Sequence, residues 1–167
     1  MASAGKAEAP RTERVIQGVW RLRLPLPWPG VPHGNAWAVA HEGGIVMFDT
    51  GMGGKGRLRQ LDLALAQAGF GVDDVRLVVC THSHTDHYGL AGSIAEAAGC
   101  ELWMHPRWEH VRPLAEDSRA ALEARIEVAR QSGVPPKALE RYREAREEDD
   151  ETGIDILKEP DRDLVPG

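Results

Sequence analysis

The chain has 167 residues, 42% of them hydrophobic and 28% charged, with a formal net charge of −6. That length supports one domain with its own core, and the acidic balance argues against broad nucleic-acid affinity. No apolar run is long enough to span a bilayer, and two cysteines, Cys80 and Cys100, make no disulfide framework, so a reducing cytoplasm is the default compartment.

Residues 1–14 are expected to be a disordered tail, since 1–10 are small and polar and lack the apolar centre of a secretory signal. Residues 15–24 alternate well enough for a strand. Residues 25–32 hold four prolines and should form a loop, because proline cannot donate to a ladder. A second strand is expected over 36–41, a hairpin turn at Gly43-Gly44, and a returning strand over 45–49. Asp49-Thr50-Gly51 is similar to the motif of aspartic proteases, but that chemistry needs two carboxylates sharing a proton and only one such motif occurs. The glycine-rich stretch 51–56 lacks the Ser or Thr that a phosphate-binding loop carries after its Lys. Leu58, Leu61, Leu65 and Ala68 recur at helical spacing, which predicts an amphipathic helix over 56–68 closed by Gly69.

Residues 75–80 are a short, β-branched apolar run, read as a buried strand. Thr81-His82-Ser83-His84-Thr85-Asp86-His87 follows, and an Ala-rich helix closed by Gly99 is predicted over 88–99. Three histidines and an aspartate thus fall in a turn between strand and helix, where open α/β sheets place their ligands. In an extended stretch His82 and His84 point to the same side and can grip one ion, while Asp86 and His87, past a turn, can face a second. Imidazole with carboxylate suits Zn²⁺, and also Fe or Mn. The plain alternative is a surface loop that happens to hold histidines. Cys80 reads as a buried structural thiol rather than a ligand.

A strand is expected over 101–104, ended by His105-Pro106, with His105 more often structural than ligating in such a position. Residues 108–150 are charged and helical. Leu122, Ile126 and Ala129 form one stripe, and a second helix starting at Pro135-Pro136 carries Leu139 and Tyr142 on one face. Residues 143–151 read as a solvated helix end. A short strand is expected over 154–157.

His-x-His-x-Asp-His after a hydrophobic strand, with the upstream Phe48-Asp49-Thr50-Gly51, resembles the metallo-β-lactamase-fold hydrolases. The resemblance implies an α+β fold, an αββα sandwich of which this chain supplies the first half, over 15–107. A helical lid-like insertion then covers 108–150, and 151–167 start a linker to the second half. It implies a metal centre of two zinc ions, with Fe or Mn as substitutes, held by His82, His84, Asp86 and His87. Asp86 would also serve catalysis by orienting the nucleophile. Asp49 would stand behind the ligands as an acceptor that fixes an imidazole or the loop backbone. The loop carrying Trp28 and His33 lies at the rim of the site in that family, which makes both candidate substrate contacts. The implied activity is metal-dependent hydrolysis of an ester, thioester, lactone or similar small-molecule carbonyl substrate by metal-activated hydroxide.

In that family a further histidine for each ion and a bridging aspartate come from the second half. This sequence has no histidine after His110. Two ligands per ion fall short of the three that catalytic zinc sites use. The isolated chain is therefore expected to bind metal weakly, to turn over little, and to expose a sheet face through which it self-associates. The alternative class is a non-catalytic metal-binding or interaction module that pairs with another chain.

Overall fold

The structure, a computed structural model, describes residues 9–28, 30–147 and 152–165. One seven-stranded sheet runs β1 to β7 in chain order. β1 (Arg11–Ile16), β2 (Val19–Trp28), β3 (Val31–His41) and β4 (Gly44–Phe48) are antiparallel, whereas β5 (Val75–Val79), β6 (Glu101–Met104) and β7 (Arg162–Asp163) continue parallel to β4.

The antiparallel half departs from expectation in three places. The single strand expected over 15–24 is two strands, because Gln17-Gly18 makes a tight turn with Gly18 at φ 77. β1 begins at Arg11, so residues 11–14 belong to the sheet and not to a tail; Thr12 is fastened by its hydroxyl, which donates to Ala64 O at 2.6 Å. The prolines after Leu24 do not end β2. Its pairing with β1 stops at Arg23, so Pro25 lies where one edge has no neighbour to receive an N–H, and the ladder with β3 shifts register between Pro25 and Trp28. The β3–β4 hairpin turns at Glu42-Gly43, one residue before the expected Gly43-Gly44, because Gly44 pairs with His41 as the first residue of β4.

Helices join the parallel strands. α1 (Arg57–Ala66) buries Leu61, Ala64 and Leu65 against β1 and β2, and Gly69 reverses the chain after it at φ 86. The predicted helix over 88–99 is split into a single turn, α2 (Thr85–Tyr88), and α3 (Ala91–Ala98), which packs on β5 and β6 and ends at Gly99 in left-handed conformation. Under these helices lie Leu22, Ala36, Ala38, Ile45, Met47, Val75, Val78 and Leu102, all fully buried. Alternation sends their neighbours to the opposite face. There the register lines up Arg21, Trp37, Phe48, Val79, Trp103 and Arg162 in one row, and Val19, Val39, Val46, Leu77 and Glu101 in the next. No element of the described residues covers these two rows, and Phe48 is 36% exposed.

After β6 comes the helical segment: a 3-10 turn over Pro106–Val111, α4 (Arg112–Glu116), α5 (Ser118–Gln131) and α6 (Pro136–Glu147). α5 and α6 form a hairpin tied by Ile126, Leu139 and an Arg143–Glu123 ion pair, while Tyr142 is 39% exposed. The expected helix end over 143–151 runs partly outside the described residues.

Residues 152–165 are built into the fold, where a linker was expected. The strand expected at 154–157 does not form, because its polar groups are used by loops. Asp155 N donates to Gly89 O at 3.0 Å, and Asp155 accepts from Gly54 N at 2.5 Å and from Ser93 Oγ at 3.3 Å. The strand lies further on, at β7, where Asp161 exchanges two 2.8 Å bonds with Leu102.

Candidate metal centre

β4 and β5 end side by side, and the centre is built where their chains turn away. Asp49, directly after β4, sits at φ 60, the one described non-glycine residue in left-handed backbone. Aspartate tolerates this region because its short side chain bonds locally. The turn buries the carboxylate and aims it across at the loop after β5. Oδ1 accepts from Thr81 N at 2.8 Å and from Thr81 Oγ1 at 2.9 Å, and Oδ2 accepts from His87 Nδ1 at 2.9 Å. Burial raises the Asp49 pKa, but the bonds from His87 and Thr81 outweigh it and hold the carboxyl below its ordinary value.

His82 and His84 precede α2, His82 in a bend with Thr81 and His84 as the extended N-cap at φ −64, ψ 148; Asp86 and His87 lie within its single turn. The loop expected over 82–87 is thus a loop as far as His84 and a helical turn beyond. The three rings gather closely: His82 lies 4.6 Å from His84 and 4.1 Å from His87, centroid to centroid. Asp86 Oδ2 is 3.3 Å from His87 Nε2.

The donor inventory decides how two of these rings present themselves. A carboxylate only accepts, so the Thr81 hydroxyl proton goes to Asp49, and Thr81 Oγ1 accepts from His82 Nδ1 at 3.0 Å. His87 Nδ1 likewise donates to Asp49. One carboxylate therefore keeps both Nδ1 atoms protonated, His87 directly and His82 through Thr81; the Nε2 lone pair of His82 is left free, whereas Nε2 of His87 faces Asp86 Oδ2. The His87 pKa is raised, chiefly by its bond to Asp49 against the effect of burial. That of His82 is lowered by burial and by the charges of His87 and His84. Burial also pushes the Cys80 thiol well up, with Sγ 3.7 Å from His87 O, which leaves it a poor source of thiolate.

Among the described residues no three His, Cys, Asp or Glu side chains close into a set that could hold an ion alone. The rings pack edge to face and tilted against one another instead of splaying around a common centre. The donor chemistry nevertheless fits a divalent cation, since imidazoles stand beside the Asp86 carboxylate and two of them are oriented from behind by Asp49.

Other candidates fall apart from the cluster. His105 accepts from Arg107 N at 3.1 Å and caps the 3-10 turn. His33 stands opposite Pro25 in the β2–β3 ladder, and Trp28 closes that ladder with its buried Nε1 lacking a partner; neither side chain bonds to the cluster. The next residue, Gly34, does approach it, since a Cβ there would lie 3.6 Å from Asp86 O. Two contacts escaped sequence reasoning. Ser83, buried between the histidines, bonds to His110, and Tyr88 of α2 exchanges 2.6 and 2.8 Å bonds with the backbone of Lys158. Neither partner lies near its mate in sequence, and no spacing signals them.

The sequence profile of the metallo-beta-lactamase superfamily matches residues 29–163. No curated protein sequence matches. Among solved structures, a metallo-beta-lactamase family protein from Thermus thermophilus is 27% identical with a TM-score of 0.67, over 92% of this chain and 48% of that one. A beta-lactamase domain protein from Burkholderia ambifaria is 25% identical with a TM-score of 0.53, over 71% and 39%. The subclass B3 enzyme BJP-1 of Bradyrhizobium japonicum, 23% identical with a TM-score of 0.51 over 64% and 38%, shares the fold. The chain spans about half the length of these relatives or less. The match over most of its residues, with the α+β sheet and its helices, makes the chain a member of the metallo-beta-lactamase superfamily.

Proposed function

We propose that the chain carries half of a metal-dependent hydrolase centre acting on an ester, thioester, lactone or similar carbonyl substrate, with His82, His84, Asp86 and His87 as ligands. One observation carries the reading: the His82 ring lies 4.6 Å from that of His84 and 4.1 Å from that of His87, with Asp86 beside His87 and Asp49 behind it. Zinc fits these donors best, and Fe or Mn would also be accepted. When bound, the metal supplies Lewis acidity to a carbonyl oxygen and lowers the pKa of water to about 7.

The chain's own residues do the rest. Asp49 and Thr81 fix the rings of His82 and His87 so that no tautomer change is needed on binding. Asp86, beside His87, would accept a hydrogen bond from the attacking water and set its direction. His33 and Trp28, in the β2–β3 ladder whose Gly34 approaches Asp86, would meet the substrate. Each ion keeps only two donors from this chain, so turnover calls for donors from elsewhere. The apolar rows on the open sheet face support association, with another copy or with a partner sheet, as the route by which they arrive.

The test is elemental analysis of the dialysed chain with turnover on a generic thioester. Expected are less than one zinc per chain and negligible hydrolysis, with residual binding lost in His84→Ala and Asp86→Ala. No zinc above that of a His84→Ala control would sink the metal reading. A zinc-loaded chain that stays inactive under every condition of association would favour the second reading, a metal-binding interaction module.

A further inference from the structure

Ser83 lies between His82, part of a bend at Thr81-His82, and His84, whose backbone is extended, and its side chain is turned to His110. It is 2% exposed, and its hydroxyl lies 2.8 Å from His110 Nε2 and 3.3 Å from His110 Nδ1. His110 Nδ1 is also 3.1 Å from Arg107 O. A carbonyl only accepts, so Nδ1 carries the proton, Nε2 is left with a lone pair, and the Ser83 hydroxyl donates to it. His110 belongs to the 3-10 turn Pro106–Val111, whose Trp108 and Val111 are sunk in the core cluster on either side of it. The ring is exposed but its backbone is anchored, and its centroid lies 6.3 Å from that of His84.

Holding Ser83 by its side chain fixes the short backbone that joins the two rings, and with it the side to which they point. We propose that His110 is a positioning residue for the metal loop. By gripping the Ser83 hydroxyl it keeps His82 and His84 facing the same side, and it links that geometry to the turn leading into α4, α5 and α6. A shift of the helical segment is thereby felt at the two rings. The proposal rests on the metal reading for its consequence, but its mechanical part stands without metal.

The experiment uses the full chain in four forms: His110→Ala, Ser83→Ala, the double variant and His110→Gln, whose amide can accept from Ser83 and donate to Arg107 O. Two readouts keep the claims separate. Hydrogen exchange of residues 82–87 without metal reports the loop, and zinc competition with a chromophoric chelator, together with the visible spectrum of bound cobalt, reports the donors. Expected for His110→Ala are faster exchange confined to the loop, about tenfold weaker zinc binding and an altered cobalt spectrum, at little change in the global unfolding midpoint. Ser83→Ala should do the same, the double variant should add nothing further, and His110→Gln should recover most of the loss. Unchanged loop exchange in His110→Ala would overturn the proposal whatever the metal does, as would additive effects or a glutamine variant as damaged as alanine. A wild-type chain that binds no zinc would defeat the metal reading alone, and loop exchange would still decide the role of His110.

Discussion

The two faces of the sheet are made of the same kinds of residue and have opposite fates. Under α1 and α3, the side chains of Leu22, Ile45, Met47, Val78 and Leu102 have no solvent contact. On the opposite face Trp37, Val46, Phe48, Val79 and Trp103 are equally apolar but only half-buried or exposed, with no element of the described residues packed over them. The difference is not in strand propensity, which is the same by construction, but in whether the chain supplies a second layer. The covered face specifies the fold. The open face is bounded by charge: Arg21 pairs with Glu13, while Arg162 lies 5.2 Å over the Trp103 ring and pairs with Glu101. Charged sheet margins limit edge-to-edge pairing but leave the apolar centre available.

If the covered face carries the stability, its loss should be the most damaging. Leu61→Ala removes a fully buried side chain of α1 from the core cluster. It should cost about 2–5 kcal/mol, the usual range for such a cavity. Chemical denaturation measures it, and a loss no larger than that of an open-face variant would break the comparison.

The faces meet at Asp49, at the end of β4. Asn adopts the same left-handed backbone, so Asp49→Asn isolates the carboxylate. Its amide would confront donors with a donor, and a cost of about 1–3 kcal/mol is expected from unsatisfied bonds. The same variant should reshape the pH dependence of stability. The folded pKa of His87 is raised above its ordinary 6.5, so its contribution is complete below that value and fades as pH rises through the raised pKa. That of Asp49 is depressed below 3.8, so its contribution is present above 3.8 and fades as pH falls through the lower value. His82, with a lowered pKa, acts against His87, favouring the fold above 6.5. The difference between wild type and Asp49→Asn, followed in unfolding midpoints without metal, should be largest between about pH 4 and 6.5 and shrink above that window. A difference that grows with pH would contradict the His87–Asp49 pairing.

Much of this was legible in sequence because it rests on local periodicity. The strands 75–79 and 101–104, the Leu58-Leu61-Leu65 helix and the Gly99 stop follow from alternation, helical spacing and glycine. So does the gathering of His82, His84 and His87, which needs only an extended stretch and a turn. The illegible parts depend on partners distant in the chain. Pro25 stays in a strand because β1 ends opposite Arg23. Residues 154–157 form no strand, and Asp155 among them bonds instead to Gly54, Gly89 and Ser93. The Ser83–His110 bond spans 27 residues and has no pattern of its own. Periodicity reports which face a residue takes, and it is silent about which neighbour arrives there.

The smallest effect on stability should accompany the largest on association. Phe48→Ser and Val79→Thr replace open-face side chains that stand next to each other in the β4–β5 ladder. Neither creates a cavity under the helices, so each should change the unfolding free energy by less than about 1 kcal/mol. Both remove apolar area whose burial is worth about 25 cal/mol per Å², and a face of several such side chains is a strong drive to pair. Sedimentation at micromolar concentration should find the wild-type chain self-associated and the double variant shifted towards monomer. A monomeric wild type that unfolds cooperatively, or open-face variants as unstable as Leu61→Ala, would mean that the open rows already hold the monomer together. The two faces would then do the same work, and the route proposed for recruiting further metal donors would be closed.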